Sequence, residues 1–270
     1  MVARAASIMM IASLCGAQTP DAAEQLAIIH QVRANALAYT KALPNFICTQ
    51  VTKRFVDYTG AGDTWKRLDT VEEQLTYFDG RERYKILRVN GKTPIANGPG
   101  QGITSSGEFG STLRDIFSPS SGTAFTWERL DQLRGRQTDV FSFRVDRAHS
   151  AAVLNVSGVA TVVGYRGSVY TDRASKTVMR ITTEADSPDD SPLQNVMHLL
   201  DYGHALIGRE DFVLPLHGEL RLRMPEQLLR DSQRRLRARV IAIRNEVDFS
   251  NYQKYAADSE IRFDPAAKNE

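Results

Sequence analysis

Two cysteines in 270 residues are too few for a disulfide framework, and the formal charge nearly cancels, with 34 Lys and Arg against 32 Asp and Glu for a net of +2. The first shortage removes the small stapled scaffolds, and the second removes a whole-molecule field that would gather nucleic acid or anionic lipid. No apolar run approaches the roughly 18 residues that a membrane-spanning helix needs, so no transmembrane anchor is expected. Catalytic signatures are missing as well: there is no Gly-x-Ser-x-Gly elbow and no Gly-Lys-Ser/Thr phosphate loop. His198 and His204 stand six residues apart. Along a strand that is roughly 20 Å, too far to hold one ion. Glu72-Glu73 and Asp189-Asp190 are adjacent pairs with no basis for separate acid and base roles. No catalytic residue, metal site or cofactor is expected, and the chain reads as a non-enzyme. A chain of this length can still bury roughly 70–75% of its unfolded surface, so a real core is available.

What is present begins with an address. Met1 to Arg4, an apolar stretch from Ile8 to Leu14, Cys15-Gly16-Ala17 and then polar Gln18 form the three parts of a secretory signal, with the cut expected after Ala17. Leu14 precedes Cys15 where a lipoprotein signal wants a small residue, so no lipid anchor is expected. Removing Arg4 lowers the formal charge from +2 to +1, and removing Cys15 leaves Cys48 alone. Cys48 sits in the strand-like run Phe46-Ile47-Cys48, where a small buried thiol is the expected role. Residues 1–17 are therefore read as signal peptide and 18–270 as a single periplasmic or secreted domain.

The spacing of Leu26, Ile29, Val32, Ala36, Tyr39 and Leu43 predicts a helix over 21–43, capped by Asp21 and stopped by Pro44. Strands follow at 46–58, 65–78 and 83–89, with Asp79-Gly80 and Asn90-Gly91 as hairpin turns. A Gly-rich loop, Gly98 to Gly107, leads to a short helix over 108–117. Strands resume at 124–130, 138–145, 153–165, 168–172, 177–185, 197–206, 212–224, 240–249 and 260–263. A helix-like stretch, 225–239, interrupts them. In the run from Phe212 to Met224 the even positions are apolar apart from Gly218, and the odd ones carry His217, Glu219, Arg221 and Arg223. That alternation means one wet and one buried face.

The fold class is thus mainly β (α+β): a strongly curved antiparallel sheet or half-open β-barrel with an N-terminal helix and short helical lids. About ten or eleven one-sided strands exceed what about three helical segments can cover, which leaves a ligand cavity. Its expected wall is Phe212, Leu214, Leu216, Leu220, Leu222, Leu75 and Tyr77, and its lid Phe109, Leu113 and Phe117. Arg230, Arg234, Arg235 and Arg237 form a basic amphipathic segment, a candidate surface for an acidic partner in the envelope. It lacks the interleaved aromatics of a nucleic-acid site, and no nucleic-acid partner is expected.

Certain stretches carry a resemblance. They are Ala42-Leu43-Pro44-Asn45-Phe46 entering the first strand, the hairpin Tyr77-Phe78-Asp79-Gly80-Arg81-Glu82-Arg83-Tyr84, and Val169-Tyr170-Thr171-Asp172-Arg173 leading to Val178-Met179-Arg180-Ile181. Asp201-Tyr202 through Phe212-Val213-Leu214-Pro215 completes the set. In these the chain resembles exported bacterial proteins of the lipoprotein-carrier (LolA-like) half-barrel fold. That group includes outer-membrane lipoprotein carriers, mycobacterial lipid-binding lipoproteins and the sensing domain of a periplasmic sigma-factor regulator. The resemblance implies a soluble envelope protein that binds or carries a lipid, a lipoprotein acyl chain or another apolar ligand between sheet and helices. The alternative is an envelope interaction or sensory module without a small ligand. The Gly-rich loop and the arginine segment depart from a minimal carrier, so no carrier residue is matched to a position here.

Overall fold

The computed structural model describes residues 19–94, 108–156, 159–228 and 239–255. The expected cleavage point after Ala17, the loop at 98–107, the arginine segment with Arg230, Arg234, Arg235 and Arg237, and the strand at 260–263 lie outside the described residues.

Asp21 caps α1 (Ala22–Ala42), its carboxylate accepting the Glu24 N–H at 2.8 Å, and Lys41 complements the dipole in the last turn. Ile28, Ile29, Val32 and Ala36 form the buried stripe, whereas Leu26, expected in it, is 62% exposed. At about 100° per residue Leu26 points roughly 100° away from the mean direction of those four. Three-residue spacing to Ile29 put it on the wrong side of the stripe's edge.

The remaining elements are β1 (Phe46–Asp57), β2 (Lys66–Phe78), β3 (Arg81–Val89), α2 (Ser111–Phe117), β4 (Ala124–Leu133), β5 (Arg136–Val145), β6 (Val153–Val156), β7 (Val159–Val162), β8 (Gly164–Asp172), β9 (Val178–Asp186), β10 (Gln194–Ile207), β11 (Glu210–Pro225) and β12 (Val240–Lys254). Asp79-Gly80 and Asn90-Gly91 have the positive φ angles their turns need, and Arg134-Gly135 adopts the same geometry between β4 and β5 without a sequence signal. The strand expected over 153–165 is a correction. Val156 pairs with Val159, so the chain reverses there into a separate β6–β7 ribbon, and β8 starts afresh at Gly164. The sequence carries a signal for it, the Ser157-Gly158 dipeptide between Val156 and Val159, which the 153–165 reading passes over.

Ten strands make one antiparallel sheet in the order β3-β2-β1-β12-β11-β10-β9-β8-β5-β4, whose edge strands β3 and β4 do not meet. Leu75 on β2 and Phe141 and Phe143 on β5 share one buried cluster although seven strand spacings separate them in that order. Flat, that distance is about 34 Å at ~4.8 Å per spacing. The sheet therefore curls around α1 and α2.

Register arranges the concave face in rows. One runs through directly opposed residues Val71, Thr52, Val247, Gly218, Leu200, Ile181, Val169, Phe141 and Trp127. It supplies much of the larger apolar cluster. A second cluster, of Val56, Leu193, Val196, Leu220, Leu222, Met224, Ile241 and Ile243, lies toward the other end of the strands.

A Cβ added to Gly167 on β8 would lie 1.8 Å from the Thr182 carbonyl oxygen, while one on Gly218 would find its nearest neighbour at 3.6 Å. Gly167→Ala is expected to lose about 3 kcal/mol or more of unfolding free energy through backbone displacement. Gly218→Ala is expected to stay close to neutral. Urea unfolding of the two variants measures the contrast.

Candidate functional site beneath the helices

Gly110, at φ 135°, turns the chain into α2, and the seven-residue helix buries Leu113, Ile116 and Phe117. Phe109 just before it is fully buried, edge-on to Phe46 at 5.3 Å and to Phe249 at 5.2 Å between ring centres. At the other end Phe117 stacks on Phe125 at 5.3 Å. A helix of two turns thus spans the trough from β1 and β12 to β4, and it also packs on α1.

Phe109, Leu113 and Phe117 fall in one cluster with Leu75, Tyr77 and Leu214, and Phe212 packs partly buried against it. Leu220 and Leu222 belong to the second cluster. Leu216 is half-buried and its δ-methyl covers Gly203, where an added Cβ would lie 2.4 Å away. Sequence patterning missed Phe46, Phe249 and Tyr202, which complete the larger cluster. Phe249 sits on β12 beyond the polar run Arg244-Asn245-Glu246, which masked its alternation.

Polar contacts fasten α2 around this apolar body. The Phe109 N–H donates to Glu82 Oε1 at 3.0 Å, and the Ala151 N–H donates to Asp115 Oδ1 at 3.0 Å. Tyrosine hydroxyls from the sheet do the rest. Tyr165 donates to Asp115 Oδ2, Tyr202 to the Glu108 carbonyl at 3.3 Å, and Tyr84 to Glu82 with Glu108 Oε2 at 3.3 Å. Burial, reinforced by the neighbouring carboxylates, pushes all three hydroxyls above the usual tyrosine range, so they remain donors. Cys48 lies on the same face, and burial followed by the Glu82 charge pushes its thiol up to about 12. It is protected, not nucleophilic.

The first helix has its own fastening. Asn35 Nδ2 donates to the Ser175 and Lys176 carbonyls at 3.1 Å each. That turn is organised by Asp172, whose Oδ1 accepts from the Ala174 N–H at 3.0 Å and the Ser175 N–H at 2.7 Å while Oδ2 meets Arg136. The Arg136 hydrogen bond, aided by Ser175 and opposed by burial, holds the Asp172 carboxyl below the ordinary carboxylate range. An open recess of about 290 Å³ lies here, lined by Arg136, Gln137, Asp172, Arg173 and Ala174.

His217 Nδ1 lies 2.8 Å from Asp248, and His204 Nδ1 lies 2.7 Å from Asp211. Neither ring is hydrogen-bonded to a described Ser, Thr or Cys, and no three metal-ligating side chains gather among the described residues. A register shift between Asp201 and Tyr202 puts His198 and His204 on different faces of β10. His204 is exposed at the hairpin end, while His198 lies between buried Val196 and Leu200. No described helix is long and apolar enough to cross a membrane.

Tyr165→Phe strands half of the Asp115 carboxylate and is expected to cost about 1–2 kcal/mol. In a Cys15→Ser background it should also speed thiol labelling of Cys48, because α2 covers that face. Asp172 has a folded pKa below the unfolded value of about 3.9. Its stabilisation is complete above that value and is lost as pH falls through the folded pKa. Asp172→Asn is expected to flatten the acid limb of the melting temperature between about pH 4 and about pH 2, read by thermal unfolding.

No protein-family model and no curated protein matches the sequence. The solved structures it is similar to include a DUF1329 family protein from Desulfovibrio piger, at 10% identity over 88% of this chain and 94% of that one, with a TM-score of 0.41. A LolA superfamily protein from Nitrosomonas europaea matches at 8% identity over 87% and 96%, with a TM-score of 0.38. A protein domain assigned to outer membrane lipoprotein sorting, from Vibrio parahaemolyticus, matches at 10% identity over 85% and 93%, with a TM-score of 0.40.

Proposed function

We propose that this chain is an exported envelope protein, cut after Ala17, whose residues 18–270 form one half-barrel domain that binds or carries the acyl chain of a lipid or lipoprotein between sheet and helices. The observation that carries the reading is the attachment of α2. Its body is apolar and inserted, whereas its fastenings to β3, β8 and β10 are hydrogen bonds at its ends and on one side chain.

Such a segment can exchange places with a ligand. Phe109, Leu113, Ile116 and Phe117 gain roughly 1.5–3 kcal/mol each from burial, on the order of 10 kcal/mol together. An acyl chain with about 12 buried methylenes offers a similar sum at ~0.8 kcal/mol per CH₂. The apolar burial that the helix gives up is recovered by the acyl chain, and the balance is set by a few hydrogen bonds worth about 1 kcal/mol each. The wall assigned to Leu75, Tyr77, Phe212 and Leu214 is the surface that the helix would uncover. The sequence resemblance supports the same reading.

Native mass spectrometry after gentle purification is expected to reveal a lipid adduct, and a fluorescent fatty acid should bind with one-to-one stoichiometry. Tyr165→Phe should raise its association rate severalfold by loosening α2. An adduct-free mass together with no binding of the fluorescent fatty acid overturns the proposal.

A further inference from the structure

The concave face is not uniformly apolar. Asp69, Arg54, Asn245, Leu220, His198 and Thr183 oppose one another directly, neighbour to neighbour, from β2 across to β9. This mostly polar row runs beside the apolar row of Val247, Leu200 and Ile181, and between it and the opposed set Val56, Ile243 and Leu222. It is a belt between the two apolar clusters. Arg54 and Asn245 are only 7% and 2% exposed. Arg54 is already engaged by Asp69 through two bonds, at 2.6 and 2.5 Å. Farther along β1 Gln50 donates to Glu73 at 3.1 Å, yet its buried Oε1 has no partner among the described residues.

His198 is the least explained member. It has no hydrogen-bond partner among the described residues, while burial pushes its imidazole down to about 4, so it stands neutral with one donor and one acceptor unused. The residue is half-buried, with more accessible surface than Val196 and Leu200 on either side. Its Nε2 lies 3.8 Å from where Gly218 would carry a Cβ, and Gly218 carries none. The ring thus keeps accessible surface beside a position that has no side chain to cover it. Its nitrogens are left for water or for a bound molecule to pair.

We infer that this belt is a headgroup site: it takes the uncharged, hydrogen-bonding head of an amphiphile, of the acylglycerol ester or hydroxyl class, while the acyl chain lies in the adjoining apolar cluster. The inference rests on the carrier reading above and adds the chemistry of the head. Charge balance selects a neutral head. Arg54, the cation within the belt, is neutralised by Asp69, so an anionic head finds no free counter-ion there. Glu73 is also unsuited to an ionic role, since burial raises its carboxyl pKa, with Arg54 opposing and Glu108 reinforcing the shift. The neutral His198 ring offers unused hydrogen-bonding positions to ester and hydroxyl groups.

The test compares a monoacylglycerol with the free fatty acid of the same chain, each displacing a fluorescent fatty acid from the full chain. Wild type is expected to prefer the monoacylglycerol by about tenfold, the worth of one or two hydrogen bonds. His198→Leu should bring that ratio close to one while keeping or raising the melting temperature, because it removes an unpaired imidazole. His198→Gln, which retains a donor and an acceptor, should restore much of the preference. Equal affinity for both heads in wild type, or an unchanged ratio in His198→Leu, overturns the belt and leaves the carrier reading standing. Displacement by neither lipid overturns both.

Discussion

An antiparallel sheet of ten strands that curls without closing must cover its apolar concave face with something other than itself. Here the cover is supplied by α1 and by the seven residues of α2, and the second is the critical piece. Phe109 meets rings from β1 and β12, and Phe117 meets a ring from β4. One short helix therefore ties together strands that lie on opposite limbs of the curl. Without it, the shared cluster of Leu75 and Phe141 would have no bridge, and a long stretch of apolar surface would face water.

The way this bridge is held bears on what it can do. The attachments described include tyrosine hydroxyls and backbone N–H groups meeting Glu82, Glu108 and Asp115. Each is individually modest, and the groups involved recover most of their hydrogen bonding in water once released. The aromatic shafts of the same tyrosines belong to the apolar wall, so one residue type serves both packing and fastening. The α1 tether follows a similar logic through the Asn35 amide and a turn organised by Asp172. Both covers are thus strongly apolar in packing and weakly polar in attachment, a combination suited to exchange.

Much of this fold was legible because period-two alternation survives wherever one face is dry. The run Phe212 to Met224 keeps its even positions on the buried side, and Asp79-Gly80 turns where its chemistry says. Legibility failed where a local rule was overruled by neighbours. At the β6–β7 reversal the Ser157-Gly158 turn signal was passed over within a Val-rich stretch, and the β10 register shift that parts His198 from His204 depends on its pairing with β11. That Leu75, Tyr77, Leu214, Phe109, Leu113 and Phe117 are buried could be read from hydrophobic residues alone, although Leu220 and Leu222 fall in the second cluster and Leu216 in neither. The tyrosine fastenings could not, since they join residues such as Tyr165 and Asp115 that are 50 positions apart and carry no spacing signal.

The polar belt was invisible in the sequence for a related reason. Arg54, Asn245 and His198 each interrupt the apolar face of a different strand, and only register shows that the interruptions coincide. Their alignment is hard to explain by stability. A buried Arg–Asp pair is often replaceable by apolar residues of similar size without destabilisation, and the His198 ring draws no hydrogen bond from the described residues. A sheet selected only for packing would have merged the two apolar clusters into one. Keeping them apart by a polar strip gives the concave face a fixed boundary between oil-like and hydrogen-bonding surface. Such a boundary orients a molecule that has both characters, because sliding it along the trough would place its head against Leu200 or Ile181 and its chain against Arg54. The belt would then set which way round a ligand lies, and the apolar trough how firmly it is held.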